Sequence, residues 1–412
     1  MSDQISLRYG NDQLSFRLPV HARILQLPAI LGDISPQKFI TDLSEHSPSF
    51  AGKSRIAVIV ADKTRLCGYD RYLHILLDEI LKRGITRNQI TIHIAYGTHL
   101  PQSDTESRSA YGQAWSRFSF MHHNCKDSSL FYELGTTIRG TPVRIRKDIC
   151  DADFLITFGA ISHHYFAGYG GGRKLIFPGL GEQKAIYHNH SLLLDAEYRR
   201  LVGTCAPGKL KGNPLAEDLE EVASYRPADL SIHGILDQQG HVCRLIVGKG
   251  NECFQAACRL HGKNTEVVSP VLYDMVLASC GGFPKDINLI QSHKAIHHAA
   301  MFVKDGGTLV LLAQCRDAIG SDTFLPWFRF NDWEAAFEHL AANYQGNGGT
   351  ALSLMAKLRR INIYLVTELD ESISTRIGLC PLTYLQVHEL IQQHQGTLAV
   401  IPNASLLVNS SP

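Results

Sequence analysis

The sequence lacks the features that define several large classes of protein. Its 412 residues carry 40 basic and 39 acidic side chains, a net charge of only +1. Without a net field, the chain as a whole is not drawn to nucleic acid or to an anionic membrane. No window reaches the roughly eighteen apolar residues of a membrane span, and the N-terminus MSDQISLRYG does not read as a signal peptide. We therefore expect a cytoplasmic protein that binds neither nucleic acid nor membrane.

The ten cysteines also lack a pattern. They are scattered singly, with no CxxC pair that would arrange two thiolates around zinc or form a redox dithiol. We expect most of them to be small buried hydrophobic residues in a reducing compartment.

What the sequence does have is a regular alternation of strand and helix signals. β-branched runs at 56–60, 90–95 and 154–158 predict buried strands, and an apolar face over 71–82 predicts a helix between the first two. Such runs, each ending in polar or glycine residues, are typical of βαβ units and of a mostly parallel sheet. The pattern predicts an α/β fold.

Polar side chains follow each of these three strands. Asp62 and Arg65 come after the first strand, His99 after the second, and His164 after the third. In open α/β sheets, ligands bind outside the carboxyl ends of the strands. We therefore expect these side chains to converge on one crevice.

A second series of strand and helix signals begins after residue 264. This pattern predicts two α/β domains with mostly parallel sheets, an N-terminal one over residues 1–264 and a smaller C-terminal one over 265–412. We expect the active site in the cleft between them. Helices of the second domain are expected near 295–303, 333–344 and 351–359, between strands at 275–278, 308–313, 363–367 and 398–401.

The most unusual segment is rich in glycine. Glycines at positions 168, 170, 171 and 172 precede Arg173 and Lys174, so that backbone amides can approach an anionic or electrophilic ligand closely. The segment is not a P-loop, because Leu175 stands where a P-loop has the hydroxyl residue that binds magnesium. It matches the spacing of a dinucleotide-binding loop only loosely.

A histidine pair, His188 and His190, follows this segment. An H-x-H pair can bind zinc, and a zinc-dependent hydrolase could use both of these residues together with His164 as ligands. Most of the twenty histidines are expected to be solvated or structural. Apart from the hydrolase alternative, no role is assigned to His163, His188, His293, His297 and His298.

Five short motifs follow one another along the chain. They are Asp62-Lys63-Thr64-Arg65, then Gly97-Thr98-His99, then His164-x-Phe166-Ala167-Gly168-x-x-Gly171-Gly172-Arg173-Lys174 with Pro178-Gly179, then Asn189-His190-Ser191, and finally Asp286-Ile287-Asn288-Leu289-x-Gln291-x-x-Lys294. In this order and at this spacing, from about residue 55 to residue 300, they resemble the motifs of the nickel-dependent lactate racemase family. The ordered set is far more specific than any single motif.

The resemblance implies a nickel cofactor, a pyridinium-3,5-bisthiocarboxylic acid mononucleotide that holds the metal through two sulfurs and one carbon. Lys174 matches the lysine that forms a covalent thioamide with this cofactor, and His190 matches the fourth nickel ligand. Soft sulfur and carbon donors with one imidazole suit square-planar Ni(II). The cofactor-contacting segment of the family is matched by Asp62, Lys63, Thr64 and Arg65.

The resemblance also implies a reaction, the racemisation or epimerisation of a 2-hydroxy acid, either lactate or a related acid. His99 and His164 match the two acid/base histidines, which take the hydroxyl proton and return it. The hydride on the same carbon moves to the cofactor, and its return to the opposite face inverts the centre. Gln291 and Lys294 match the substrate contacts, with the ammonium of Lys294 pairing with the substrate carboxylate.

The chain also departs from the family pattern, since Leu66 and Leu100 stand where Pro and Arg are usual. The resemblance implies two kinds of partner, the hydroxy-acid substrate and the proteins that synthesise the cofactor and insert nickel. Two alternatives stay open at this point. One is the zinc-dependent hydrolase, and the other is a non-catalytic protein that binds the nucleotide cofactor.

Overall fold

The computed structural model describes residues 4–27, 32, 34–46, 49–330 and 332–410. The chain forms two compact units. Unit I comprises Ala29–Leu192 and Thr204–Lys263, and unit II comprises Met1–Pro28, Leu193–Gly203 and Asn264–Pro412. The boundary predicted after residue 264 falls at one border between the units, but the start of the chain and the segment 193–203 lie in unit II.

The strands of the described residues span two to ten residues. In chain order they are β1 Gln4–Tyr9, β2 Asp12–Arg17, β3 Arg23–Ile24, β4 Ile56–Ala61, β5 Ile90–Ala95, β6 Ser119–His122, β7 Phe131–Thr136, β8 Pro142–Arg146, β9 Phe154–Ala160, β10 Ser162–His164, β11 Gly168–Gly170, β12 Leu194–Asp195, β13 Arg200–Leu201, β14 Leu230–Leu236, β15 Val242–Gly248, β16 Glu266–Val267, β17 Tyr273–Ser279, β18 Val303–Leu312, β19 Asn362–Val366, β20 Cys380–Pro381, β21 Leu398–Ile401 and β22 Val408–Asn409.

The helices alternate with these strands. They are α1 Pro36–His46, α2 Tyr69–Lys82, α3 Asp104–Tyr111, α4 Gln113–Arg117, α5 Lys147–Cys150, α6 Arg173–Ile176, α7 Gln183–Ser191, α8 Pro214–Ser224, α9 Gly250–Thr265, α10 Leu289–Ala299, α11 Trp333–Ala342, α12 Gly348–Leu358, α13 Glu371–Ile377 and α14 Tyr384–Gln393. Single 3-10 turns lie at Arg87–Gln89, Ser128–Leu130, Ala300–Phe302 and Leu325–Arg329.

Unit I is built on a six-stranded sheet with the order β15-β14-β9-β4-β5-β6. Its pairs are parallel except β14 with β15, which is antiparallel. Every residue of β4 is buried, as expected for a central strand covered on both faces. The predicted α/β class with mostly parallel sheets is confirmed, and the runs at 56–60, 90–95 and 154–158 are strands.

Unit II has its own six-stranded sheet, with the order β20-β19-β18-β17-β21-β3, and each of its neighbouring pairs is parallel. Strand β3 pairs with β21, and the hairpin of β1 and β2 places Leu7 and Phe16 in the core beneath this sheet. These contacts explain why the first residues join a unit formed mainly by the last third of the chain. Sequence periodicity carries no information on pairing across such a separation.

One predicted helix is displaced. The sequence placed it near 295–303, whereas α10 spans Leu289–Ala299 and begins at an Asn288 cap whose side chain accepts a hydrogen bond from Gln291 N. Gln291 and Lys294 therefore lie in the first two turns of this helix. Among the described residues, no helix combines the length and the apolar character needed to cross a membrane.

Candidate functional site

The carboxyl ends of three adjacent strands in unit I carry the predicted site residues. Strand β4 lies between β5 and β9, and its last residues pair with Ala95 of β5 and Phe158 of β9. Asp62 directly follows β4, His99 lies four residues beyond the end of β5, and His164, the last residue of β10, lies four residues beyond the end of β9. Parallel strands end at one edge of the sheet, so these residues arise from neighbouring positions on that edge.

Asp62 and His99 form a hydrogen-bonded pair. The Nδ1 of His99 lies 2.7 Å from Oδ2 of Asp62, and the other carboxylate oxygen accepts hydrogen bonds from the backbone N and Oγ1 of Thr64, at 2.8 and 2.6 Å. Nη1 of Arg65 lies 3.4 Å from Oδ2 of Asp62 and 3.3 Å from Nδ1 of His99. Asp62, Thr64 and Arg65 of one predicted segment and His99 of another thus form one cluster.

The carboxylate at the centre of this cluster is buried, with 2% of Asp62 exposed. Burial by itself would raise the pKa of the Asp62 carboxyl, but His99, Arg65 and Thr64 outweigh it and hold that pKa well below its usual range. Asp62 is therefore an anion, and it gives the imidazole of His99 a fixed hydrogen-bond acceptor.

Lys63 is directed elsewhere. Its ammonium forms an ion pair with Glu106 of α3, and its backbone N donates to Oε1 of Gln102 at 2.8 Å. The side chain of Lys63 is 38% exposed. Lys63 belongs to the four-residue motif that was predicted to contact a cofactor. Its side chain nevertheless pairs with Glu106, which is not part of the Asp62 and His99 cluster.

His164 lies in the hairpin of β10 and β11. Its Nδ1 accepts hydrogen bonds from the backbone N of Phe166 at 3.2 Å and of Ala167 at 3.1 Å. The ring of Tyr165 stacks on His164 with centroids 4.9 Å apart and planes 9° apart. The imidazole is thus held by its own turn.

The neighbouring His163 has a different environment. It pairs with Tyr169 in the hairpin register, only 7% of it is exposed, and its ring lies 5.0 Å from Tyr169 and 4.9 Å from His261. Adjacent strand residues point to opposite faces, so the two histidines serve different surroundings. His163 packs against aromatic rings, whereas His164, the predicted site residue, is bonded to its own turn.

The glycine-rich segment lies against the ends of the sheet. Gly171 adopts φ of +77°, and a Cβ there would lie 2.4 Å from the carbonyl oxygen of Ala160 at the end of β9. A Cβ on Gly159 would likewise meet Leu175 at 2.9 Å, and Gly97 N donates to Gly179 O at 2.8 Å. The absence of side chains lets this segment, which carries Lys174, pack closely on the strand ends.

Lys174 is half-buried and follows a buried arginine. Nε of Arg173 lies 3.3 Å from Glu220 of α8, and its guanidinium lies 4.7 Å from the ring centroid of Phe254 in α9. Only 8% of Arg173 is exposed. Arg173 therefore anchors α6 to α8 and α9. The adjacent Lys174 is not needed for these contacts.

His190 lies on α7 within the electrostatic influence of Lys174. Burial, and to a smaller extent the nearby ammonium of Lys174, lower the pKa of the His190 imidazole to about 3, against a smaller opposing effect of a hydrogen bond with the backbone of Ile186. The ring is consequently neutral at physiological pH. Neutral imidazole is the form of histidine that ligates metal ions.

The buried carboxylate of Asp218, which the sequence analysis did not identify, is hydrogen-bonded to α7. Asp218 of α8 accepts hydrogen bonds from Oγ1 of Thr137 at 2.5 Å, Oγ1 of Thr141 at 2.7 Å and Nδ2 of Asn189 at 2.8 Å. None of its surface is exposed. These partners are 29 to 81 residues away along the chain, so local sequence patterns could not reveal them.

The surroundings of His188 and His190 test the alternative of a zinc-dependent hydrolase. Nδ1 of His188 lies 3.0 Å from Oγ1 of Thr141, a hydroxyl of the Asp218 network. In the part of the chain that the structure describes, no group of three or more His, Cys, Asp and Glu side chains could hold a metal ion. A zinc site with three protein ligands at His164, His188 and His190 therefore has no support.

The predicted substrate contacts lie in unit II. Nζ of Lys294 donates to Oε1 of Gln291 at 2.6 Å, one turn apart on α10.

Burial lowers the pKa of a further amine in this unit, Lys357 on α12, to about 7. Nζ of Lys357 donates to the carbonyl oxygen and the hydroxyl of Ser353. Sequence reasoning gave no role to Lys357.

Two models of protein-family domains match successive parts of the chain. The model of the lactate racemase N-terminal domain matches residues 40–201, and that of the lactate racemase C-terminal domain matches residues 268–349. Together these models match more than half of the chain. A protein named lactate racemase, from Thermoanaerobacterium thermosaccharolyticum, is 30% identical over 294 residues.

The chain belongs to the lactate racemase family. The predicted family is confirmed, and the name borne by its curated members is that of an isomerase. A lactate racemase from Lactiplantibacillus plantarum is 29% identical over 276 residues. The matches cover 71% and 66% of this chain but only 66% and 63% of the two relatives, about two thirds of their length.

Solved structures show the same fold. The lactate racemase apoprotein from Thermoanaerobacterium thermosaccharolyticum superposes with a TM-score of 0.86 at 24% identity, over 98% of this chain and 99% of the other. A protein from Thermotoga maritima superposes with a TM-score of 0.71 at 15% identity, over 92% and 99% of the two chains. At these identities the likeness concerns the fold alone.

Proposed function

We propose that this member of the family is a racemase or epimerase of a 2-hydroxy acid, lactate or a related acid, that works by proton-coupled hydride transfer with a nickel-pincer nucleotide. The observation that carries the proposal is the hydrogen bond of His99 to Asp62 at the strand ends on which the glycine-rich segment before Lys174 packs. Lys174 on α6 brings an amine to this segment, and its charge adds to burial in lowering the pKa of the His190 imidazole on α7, which stays neutral. An amine can be acylated by the cofactor, and a neutral imidazole can ligate its nickel.

The residues of unit I fit such a cofactor chemically. With a single neutral imidazole from the protein, a nickel ion needs its other donors from elsewhere, which suits a cofactor that brings its own sulfur and carbon ligands. When bound, this group supplies a carbon that accepts and returns a hydride. Arg65, near the end of β4, provides a cation for an anionic group of the nucleotide, and Asp62 and Thr64 orient that cation.

The chain's own side chains handle the proton and the substrate. His99 and His164 take the hydroxyl proton of the hydroxy acid and return it, while the hydride leaves and rejoins the same carbon. Lys294, held by Gln291, pairs with the substrate carboxylate. The net reaction conserves all atoms, because the proton and the hydride both return to the 2-oxo acid and only the face of return changes.

The proposal is tested with a 2-hydroxy acid that carries deuterium on C2. Cofactor-loaded protein is incubated with one enantiomer of deuterated lactate, and the product is analysed for chirality and label. Hydride transfer predicts that the inverted product keeps its deuterium. If the label is washed out to solvent while the centre inverts, the reaction proceeds through a carbanion and the mechanism is wrong.

Attachment of the cofactor is tested separately by mass spectrometry and metal analysis. The intact mass of protein matured with the cofactor-synthesis and nickel-insertion proteins should show an adduct that Lys174→Ala abolishes. The exposed Lys184 of α7 is a matched control, and Lys184→Ala should keep the adduct. His190→Ala should keep the organic adduct and lose most of the nickel. Zinc in place of nickel, or an adduct that survives Lys174→Ala, contradicts the proposal.

A further inference from the structure

Two exposed leucines border the cluster of Asp62 and His99. Leu66 directly follows Arg65, Leu100 directly follows His99, and these leucines are 40% and 87% exposed. A single exposed leucine is ordinary, because apolar atoms make up more than half of a protein surface. Exposed apolar side chains grouped at a polar site are instead typical of a surface that binds a ligand.

The chain around Leu100 is fixed on both sides. Before it, Nδ1 of His99 lies 2.7 Å from Oδ2 of Asp62, and after it, Oε1 of Gln102 accepts a hydrogen bond at 2.8 Å from the backbone N of the residue that follows Asp62. Because Pro101 comes next, the backbone of Leu100 is also restricted to extended conformations. Leu100 is therefore presented to solvent by a rigid segment of chain.

His164 also has an apolar neighbour in the chain. The ring of Tyr165 stacks on the imidazole of His164 with planes 9° apart, and the ring of Phe166 lies 4.2 Å from that of Tyr165. Tyr165 is half-buried, and Phe166 is buried. Each of the two predicted acid/base histidines is thus followed by a largely apolar side chain.

The proposed reaction requires both of these places to accept the same part of the substrate. If the carboxylate and the exchanged hydrogen keep their positions around C2, the two enantiomers differ by an exchange of the hydroxyl with the remaining substituent, the C3 group. In the enantiomer whose hydroxyl faces His164, the C3 group lies on the side of His99 and Leu100. In the other enantiomer it lies on the side of His164 and Tyr165.

The exposure of Leu100 indicates the character and size of the C3 group. An isobutyl side chain that is 87% exposed offers more apolar surface than one methyl group can cover, so a larger apolar group removes more of that surface from water. A second carboxylate in the C3 group would lose hydration against this leucine, whose side chain can neither donate a hydrogen bond to it nor balance its charge.

We propose that the substrate is a 2-hydroxy monocarboxylic acid whose C3 group is apolar and larger than the methyl group of lactate, and that Leu100 and Tyr165 select this group. The inference rests on the proposed function and names its substrate class. Leu66, across the cluster from Leu100, extends the apolar surface on the side of His99.

A comparison of substrates tests the class. Cofactor-loaded protein is assayed for inversion of lactate, 2-hydroxy-4-methylpentanoate and 2-hydroxysuccinate. We expect kcat/KM to be at least about tenfold higher for 2-hydroxy-4-methylpentanoate than for lactate, the lower end of what apolar contacts contribute to discrimination, and lower for 2-hydroxysuccinate than for lactate. A preference for lactate or for 2-hydroxysuccinate overturns the inference.

Substitutions test the part played by Leu100. Leu100→Ala should lower the ratio of kcat/KM for 2-hydroxy-4-methylpentanoate to that for lactate about tenfold, whereas Leu100→Met, which keeps an apolar side chain of similar volume, should retain the ratio. Ile138 lies between β7 and β8 and is 93% exposed, so Ile138→Ala is a matched control that should also retain it. A ratio that Leu100→Ala leaves unchanged contradicts the inference.

The enantiomers distinguish the two selecting residues. Leu100→Ala should raise KM more for one enantiomer of 2-hydroxy-4-methylpentanoate, and Tyr165→Ala should raise it more for the other. In each variant, kcat/KM stays equal for the two enantiomers, because the equilibrium constant of racemisation is one. If Tyr165 only supports His164, Tyr165→Ala should lower kcat/KM for lactate and for the larger acid alike. That result, or a larger rise for the same enantiomer in both variants, contradicts the proposed selection.

A binding measurement separates this inference from the proposed function. Saturation-transfer NMR detects contact between loaded protein and the C3 group of 2-hydroxy-4-methylpentanoate, whether or not the acid is inverted. If no acid is inverted but Leu100→Ala weakens this contact and Ile138→Ala does not, the proposed function fails and the apolar ligand class stands. If lactate is inverted with label retention but the larger acid has no advantage, the racemase stands and the class is wrong. If no acid is inverted and no contact is seen, both are wrong.

Discussion

Two buried aspartates in unit I have opposite kinds of partner. Asp62 contacts groups that can carry charge, His99 and Arg65, and only the hydroxyl and backbone of Thr64 are neutral donors to it. Asp218 instead accepts hydrogen bonds from the neutral groups of Thr137, Thr141 and Asn189. Both carboxylates are almost completely enclosed, at 2% and 0% exposure.

The difference in partners implies a difference in role. A carboxylate bonded to an imidazole takes part in any change of that ring's protonation, because it stabilises the protonated nitrogen. A carboxylate that accepts only from hydroxyl and amide groups has no partner that titrates near neutral pH, and it fixes geometry instead. We therefore expect changes at Asp62 to appear mainly in the reaction and changes at Asp218 mainly in stability.

The largest expected effect is on turnover in Asp62→Asn. The variant keeps the size of the side chain but removes the charge that holds the Nδ1 proton of His99, so the lone pair on Nε2 is no longer assured. We expect kcat to fall about 10²- to 10⁴-fold, measured as racemisation by loaded protein.

The control for this variant, Asp153, directly precedes β9 at the opposite edge of the same sheet. Asp153 accepts hydrogen bonds from Ser54 and Arg55, just before β4, and among the described residues it contacts no imidazole. Asp153→Asn should lose some stability and keep its turnover. Equal loss of turnover in the two variants would mean that Asp62 acts through the fold and not through His99.

A smaller effect, on stability, is expected for Asp218→Ala. Three buried donors lose their common acceptor, and each unpaired group costs about 1–3 kcal/mol. Allowing for relaxation around the site, we expect the free energy of unfolding to fall by at least about 3 kcal/mol, measured in urea. At a temperature where the variant is folded, turnover per nickel-loaded molecule should change much less than in Asp62→Asn. The reverse ranking contradicts the comparison.

The pH dependence of stability should show the charged character of Asp62. Its pKa is lower in the folded chain than in the unfolded chain, so ionised Asp62 stabilises the fold above the unfolded pKa near 3.9. This contribution is lost as pH falls through about 4 towards the folded pKa. Unfolding of wild type and Asp62→Asn, measured in urea from neutral pH down to about pH 3, should differ most at neutral pH and converge on acidification. A gap that stays constant with pH contradicts this reasoning.

The two aspartates also differ in how much of their surroundings could be predicted from the sequence. The positions of Asp62, His99 and His164 at neighbouring strand ends followed from β-branched runs and from the rule that ligands bind at the carboxyl ends of parallel strands. Local patterns sufficed because each residue lies within a few positions of its strand. The sequence did not predict that Asp62 would hold His99 directly, because that contact depends on the pairing of β4 with β5 and on side-chain rotamers.

The hydrogen bonds of Asp218 and the pairing of the first residues with unit II could not be predicted from the sequence, for a physical reason. Thr137 and Asp218 are 81 residues apart, and β3 joins a strand more than 370 residues later. Neither contact is encoded in the periodicity of either segment. Lys63 illustrates a further limit, because a motif places a residue next to a site but does not determine where its side chain points, here towards Glu106.

The smallest expected effect is that of Thr141→Val, which replaces a hydroxyl by a methyl group of similar size. One hydrogen bond to Asp218 is lost, together with the contact between Oγ1 of Thr141 and Nδ1 of His188, while two other donors still satisfy the carboxylate. We expect a loss of about 1 kcal/mol in the free energy of unfolding, with kcat unchanged within about twofold. Thr137→Val should behave alike. If Thr141→Val instead lowers kcat strongly while the unfolding curve stays in place, Asp218 is coupled to the reaction through α7 and His190, and the two aspartates differ less than their partners suggest.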